Sequence, residues 1–111
     1  MHVTAVQLLQ LSGNLSLTPT TSSIVVSWSP PQFPPDSYNV SYSCQLLCVS
    51  ELYLSSSDTV NGSVTTHTIT SLYAGSHCTV SITAVYGRYT SNTITLSTNT
   101  TLSGIIAQWL L

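Results

Sequence analysis

From Ser37 the chain reads SYNVSYSCQLLC, and as far as Cys44 its polar and apolar side chains alternate. Tyr38, Val40, Tyr42 and Cys44 fall on one side, Asn39, Ser41 and Ser43 on the other. Successive side chains of an extended strand point to opposite faces, so this pattern specifies a strand with one face buried. The same signal recurs. Ile24, Val26 and Trp28 share a side in SIVVSW, and Cys78, Val80, Ile82 and Ala84 share one in CTVSITAV. Weaker runs place Leu15 with Leu17, His67 with Ile69, and Ile94 with Leu96. No helical stripe of useful length competes. Proline at 30, 31, 34 and 35 forbids a ladder there, and Asn61-Gly62, Ala74-Gly75 and Tyr86-Gly87 mark further turns. Segment 45–60 is the least regular, with SELYL read as a short edge strand before SSSD. About seven short strands spaced in this way predict an all-β, two-sheet antiparallel sandwich.

The chain has 111 residues and no internal repeat, so it is one module. Its charges are Arg88, Asp36, Glu51 and Asp58, for a net charge of −2. With one cation it cannot displace counterions from phosphate, which argues against a nucleic-acid partner. Solubility must come from elsewhere. Ser and Thr supply 37 residues, and four Asn-x-Ser/Thr acceptors occur, at Asn14, Asn39, Asn61 and Asn99. Asn92 fails because Ile94 follows two places later. Hydroxyls and attached sugars together would provide the hydrophilic coat of a secreted or cell-surface glycoprotein. The start of the chain lacks a basic segment and a cleavage site, and the tail GIIAQWLL is too short to span a bilayer. The expected division is an N-terminal extension over 1–12, a folded domain over 13–99 and an apolar tail over 100–111. The chain is expected to be part of a longer protein, touching a membrane only through parts of that parent.

The order of elements resembles the fibronectin type III family from Asn14 to about Thr98. Trp28 followed by Pro30-Pro31 is similar to the family's strand-B tryptophan and the prolines after it. Tyr38, Val40 and Tyr42 are similar to its strand C. Leu72, Ala74-Gly75, then Val80, Ile82 and Ala84-Val85 resemble its E–F turn and strand F. The resemblance implies a seven-stranded immunoglobulin-like sandwich with sheets A-B-E and C′-C-F-G. Trp28, Tyr42, Leu72, Val80 and Ile82 would form its core. One position departs from the pattern. Six residues after Leu72 the family usually places a tyrosine whose hydroxyl ties back to the turn, and here Cys78 stands instead.

The resemblance also bears on the three cysteines. Strands C and F would be antiparallel neighbours, so that Tyr42 facing Val80 sets Cys44 opposite Cys78. A disulfide there would stabilise by about 3–4 kcal/mol through chain entropy and stand in for the missing tyrosine. Cys48, in the loop after strand C, is the alternative partner for Cys78. Three reduced, buried cysteines remain a competing reading, and would require an intracellular setting. Zinc held by Cys44, Cys48, Cys78 and His77 is disfavoured because His77 and Cys78, adjacent on a strand, point to opposite faces.

Catalysis has little to work with. Acids and histidines are few, and no serine sits in a G-x-S-x-G or S-x-x-K motif. No metal or cofactor is expected. PPQFPP reads as a proline-stiffened B–C loop, with Phe33 at its middle. The F–G loop reads VYGRYTSN, with Arg88 between Tyr86 and Tyr89, residue types enriched in binding hot spots. The resemblance puts both loops at one end of the sandwich, so Phe33, Asp36, Tyr86, Arg88 and Tyr89 are candidates for one protein-binding patch. The Arg-Gly-Asp and Trp-Ser-x-Trp-Ser motifs of some relatives are absent. The function expected is a non-catalytic extracellular spacer or protein-binding unit of a larger adhesion- or receptor-like protein. Its partners would be other proteins or neighbouring domains of the same chain.

Overall fold

The computed structural model describes residues 9–11, 14–46 and 53–101. Cys48, Glu51 and the tail GIIAQWLL lie outside the described residues. Seven strands follow in order: β1 (Leu15–Pro19), β2 (Ile24–Trp28), β3 (Ser37–Leu46), β4 (Tyr53–Asn61), β5 (Thr66–Ile69), β6 (Ser76–Tyr86) and β7 (Tyr89–Asn99). They form one sheet in the order β1-β2-β5 and a second in the order β4-β3-β6-β7, every pairing antiparallel. This is the sandwich that the alternation predicts.

The longest pairing joins β3 to β6 in unbroken register from Ser37↔Val85 to Leu46↔Ser76. It sets the apolar side of each strand toward the other sheet. Tyr38, Val40, Val80, Ile82 and Ala84 are thereby fully buried against Ile24, Val26 and Ile69. Trp28 packs edge-on to Tyr38, ring centroids 5.1 Å apart, a geometry that suits the ring quadrupoles. Leu72 closes one end of this core, while Tyr42 is only half-buried at its margin. Packing continues past both expected boundaries. Leu11 is buried in the core, its backbone N–H and C=O both bonded to the Asn92 side chain. At the other end, Thr100 is buried against Ser76.

Two strands differ from their expected form. β4 runs nine residues and takes in Ser55-Ser56-Ser57-Asp58, read from sequence as lying after the strand. Serine has little preference for extended backbone, but continuous pairing with β3 from Gln45↔Tyr53 to Ser37↔Asn61 overrides it. Leu96 does share the inward side with Ile94, yet it remains 42% exposed at the free flank of β7.

Asp58 and His67 face each other where the two sheets open. Asp58 lies opposite Val40 and His67 opposite Val26, so both point inward, one from each sheet. Their side chains meet at 2.9 Å (His67 Nε2 to Asp58 Oδ2). No other ion pair occurs among the described residues.

Two expected outcomes follow from this packing. A Cβ at Gly62 would lie 1.9 Å from the Pro35 carbonyl oxygen, a backbone atom that cannot yield cheaply. Gly62→Ala should therefore cost about 1–3 kcal/mol in urea unfolding. Burial raises the pKa of Tyr38, and the nearby indole N–H of Trp28 pulls the other way without completing a hydrogen bond of ordinary geometry. Burial, then the proximity of Tyr38, raises that of Tyr86. Unfolded tyrosines ionise near pH 10 while these stay neutral to higher pH, so the unfolded chain loses protons first. Stability should be flat below about pH 10 and fall above it, measured as the urea midpoint across an alkaline series.

Candidate functional site

Cys44 and Cys78 are directly opposed in the β3–β6 register, their Cα atoms 4.0 Å apart, and their sulfurs are bonded at 2.06 Å. Both are buried. The link joins residues 34 apart in sequence and sits beside the E–F turn, where the family's tyrosine would anchor. Two hydroxyls share that anchoring, and sequence reading missed them both. The Tyr73 carbonyl accepts the Ser76 hydroxyl and the Thr100 hydroxyl, each at 2.8 Å. Thr100 Oγ1 in turn accepts the Ser76 N–H at 2.8 Å. No local motif marks these residues. Only the pairing of β6 with β7 brings position 100 to position 76.

At the opposite end, the B–C loop and the β6–β7 hairpin are stitched together. Gly87 and Arg88 form a two-residue turn between the paired Tyr86 and Tyr89. Gly87 has a φ of 59°, as a type II′ turn requires at its first central position. Asp36 governs this region. Its N–H donates to the Val85 carbonyl at 2.9 Å, its carbonyl accepts Gly62 N–H at 3.2 Å, and its carboxylate accepts Gly87 N–H at 2.7 Å. The Tyr86 hydroxyl donates to the Phe33 carbonyl at 2.6 Å. Asp36 and the Tyr86 hydroxyl therefore hold the loops, while Phe33, Arg88 and Tyr89 point outward. Phe33 is 58% and Tyr89 67% exposed. Arg88 is exposed and makes no hydrogen bond or ion pair among the described residues.

The outer face of the larger sheet has a different chemistry. Its register aligns Thr59, Asn39, Thr83 and Thr93 in one row across the four strands. Ser57, Ser41, Ser81 and Thr95 form the next, and Ser55, Ser43, Thr79 and Ser97 the third. None carries a charge. On the β6–β7 side each row is closed by a hydroxyl pair, at 2.7 Å for Thr83–Thr93 and 3.0 Å for Ser81–Thr95 and Thr79–Ser97. Beyond the third row, the Tyr53 hydroxyl bonds Ser43 and His77 bonds Asn99 at 2.6 Å. His77 thus sits on the side of the sheet away from Cys78, whose sulfur is committed to Cys44.

All four acceptor asparagines are exposed, but their amides differ. Asn61 Oδ1 accepts both the N–H and the hydroxyl of Ser63 at 2.9 Å, and Asn99 Oδ1 is engaged by His77. The Asn39 amide, mid-strand on the outer face, makes no side-chain hydrogen bond among the described residues.

A family model of the fibronectin type III domain matches residues 10–102, so the chain belongs to that family. Its fold is similar to the fn3 domain of the human collagen alpha-1(XX) chain, with a TM-score of 0.69 and 27% identity over 82% of this chain and 84% of that one. A two-domain fibronectin type III segment of chicken tenascin aligns at TM-score 0.67 and 32% identity, covering 78% of this chain and 47% of that segment. The FN1–FN3 domains of chicken CNTN1 share the fold at TM-score 0.64 and 15% identity, over 79% of this chain and 29% of that one. Among curated proteins, none matches.

Opening the Cys44–Cys78 loop with a double alanine variant should lower stability by about 4 kcal/mol, read from urea unfolding. Thr100→Val strands the Ser76 N–H in a buried site and should cost about 1–3 kcal/mol in the same assay. The unreduced chain should take up one alkyl group, at Cys48, and three after reduction, counted by mass spectrometry.

Proposed function

We propose that this chain is a non-catalytic extracellular module, serving as a protein-binding or spacer unit of a larger adhesion- or receptor-like protein. The observation that carries the binding role is the loop end of the sandwich. There Asp36 fixes the B–C loop and the β6–β7 hairpin together, leaving Phe33, Arg88 and Tyr89 exposed on a rigid base. An aromatic pair around the chain's only cation has the composition of an interface hot spot. Prearranged loops lower the ordering cost of binding.

Membership in a family of non-enzymatic modules, commonly found in adhesion and receptor proteins, supports this reading. A buried disulfide favours an oxidising compartment. The exposed acceptors Asn14, Asn39, Asn61 and Asn99 fit a secreted glycoprotein. Among the described residues, the carboxylates and histidines are each bonded within the fold: Asp36 to Gly87, Asp58 to His67, and His77 to Asn99. A module whose loops bind nothing would act as a spacer alone.

Secreted from mammalian cells and screened against displayed ectodomains, the chain should bind a partner. Arg88→Ala with Tyr89→Ala should then weaken that binding by at least about tenfold, a hot-spot loss, and leave the unfolding midpoint unchanged. Binding indifferent to the double substitution, or absent altogether, would assign the spacer role. Retention inside the cell with three free thiols would overturn the extracellular reading.

A further inference from the structure

The uncharged outer face of the larger sheet is built unevenly. On β6 and β7 its hydroxyls satisfy one another across the strands. On β3 and β4, Ser41, Ser55, Ser57 and Thr59 make no side-chain hydrogen bond among the described residues. Between these halves lies a shallow depression of about 540 Å³ whose floor is formed by Ser41, Ser43, Ser55, Ser57, Thr79 and Ser81. Just beyond its far end stands Tyr53, held to Ser43 and 63% exposed. Its near end is one row from Asn39, whose exposed amide makes no side-chain hydrogen bond among the described residues.

We propose that this face is the seat of an oligosaccharide carried by Asn39 of the same chain, laid along the sheet over the serine depression toward Tyr53. This rests on the reading of the chain as an extracellular glycoprotein. The linkage forms when the Asn39 amide nitrogen displaces a polyisoprenyl pyrophosphate from the anomeric carbon of a lipid-linked oligosaccharide. The new bond is N–C1, the amide gives up one proton, and the pyrophosphate lipid leaves. Asn39 and Ser41, the first and third positions of the acceptor tripeptide, occupy adjacent rows of the face, so the first sugar on Asn39 emerges directly over it.

Three features select a saccharide. Hydroxyls both donate and accept, and those of Ser41, Ser55 and Ser57 are uncommitted among the described residues, which matches the paired donors and acceptors of a sugar ring. The absence of charge removes any preference for an ionic ligand. At ordinary strand spacings the three rows cover about 13 by 14 Å, enough for the first rings lying flat. Each hydroxyl exchange against water contributes little, so a free sugar would bind weakly. A tethered one needs only weak contacts, because its effective concentration is about millimolar or higher.

The test uses the secreted chain bearing a uniform, isotope-labelled high-mannose glycan, with occupancy at each acceptor read by glycopeptide mass spectrometry. Nuclear Overhauser contacts are expected between sugar protons and the side chains of Ser57 and Thr79. Endoglycosidase trimming at Asn39 should be about tenfold slower in the folded protein than in the reduced, unfolded one, as a tethered weak contact predicts. Ser55→Glu with Ser57→Glu should remove the contacts and most of that protection while the fold, checked by amide spectra, persists. An occupied Asn39 with no such contacts, or protection untouched by the double variant, overturns the seat alone. Glycans at the other acceptors with Asn39 bare overturn it too and leave the glycoprotein reading standing. No glycan at any acceptor overturns both.

Discussion

The fold depends on the ten-pair antiparallel register between β3 and β6. A slip of one residue would turn Tyr38 and Val40 to solvent and bring Asn39 and Ser41 into the core, exchanging every buried apolar group on the strand for a polar one. The same register opposes Cys44 to Cys78 at one rim and Ser37 to Val85 at the other. Hydrophobic burial and covalent linkage therefore select one alignment. The apolar side chains would choose it unaided, and the disulfide then narrows the unfolded ensemble around it.

From that alignment the two ends of the sandwich acquire different roles. The end at Cys78 is closed by sulfur and by buried hydroxyls, with the Tyr73 carbonyl taking two of them. It is invested in stability. The end at Asp36 is closed by backbone and carboxylate contacts that leave large side chains outside. A carboxylate bound to a turn N–H orders a hairpin without covering it, which is the arrangement a contact surface needs. Of the five residues that the sequence groups at this end, Asp36 and the Tyr86 hydroxyl support the other three.

Strands with strong alternation were legible because burial acts on them one face at a time: β2, β3 and β6 declare their inward sides without reference to neighbours. Trp28, Leu72, Val80 and Ile82 could be assigned to the core on that basis, together with the family pattern. β4 could not be delimited, because its serines carry no periodic signal and its extent is set by the backbone groups of β3. Ser76 and Thr100 were invisible for a related reason. Their roles arise from a long-range pairing, and a serine or threonine looks alike in sequence whether it caps a buried carbonyl or faces water. Leu11, eighty-one residues before Asn92, joins the core on the same terms.

The two flanks of the sandwich also differ in how they resist joining another sheet. Along β4, the inward carboxylate of Asp58 bonded to His67 would have to be stripped of water before a foreign strand could dock over it. β7 offers eleven residues without a charge, and its guard is the short strap at Gln10 and Leu11 clasped by Asn92. A fragment cut at residue 13 would shed that clasp and bare an uncharged rim.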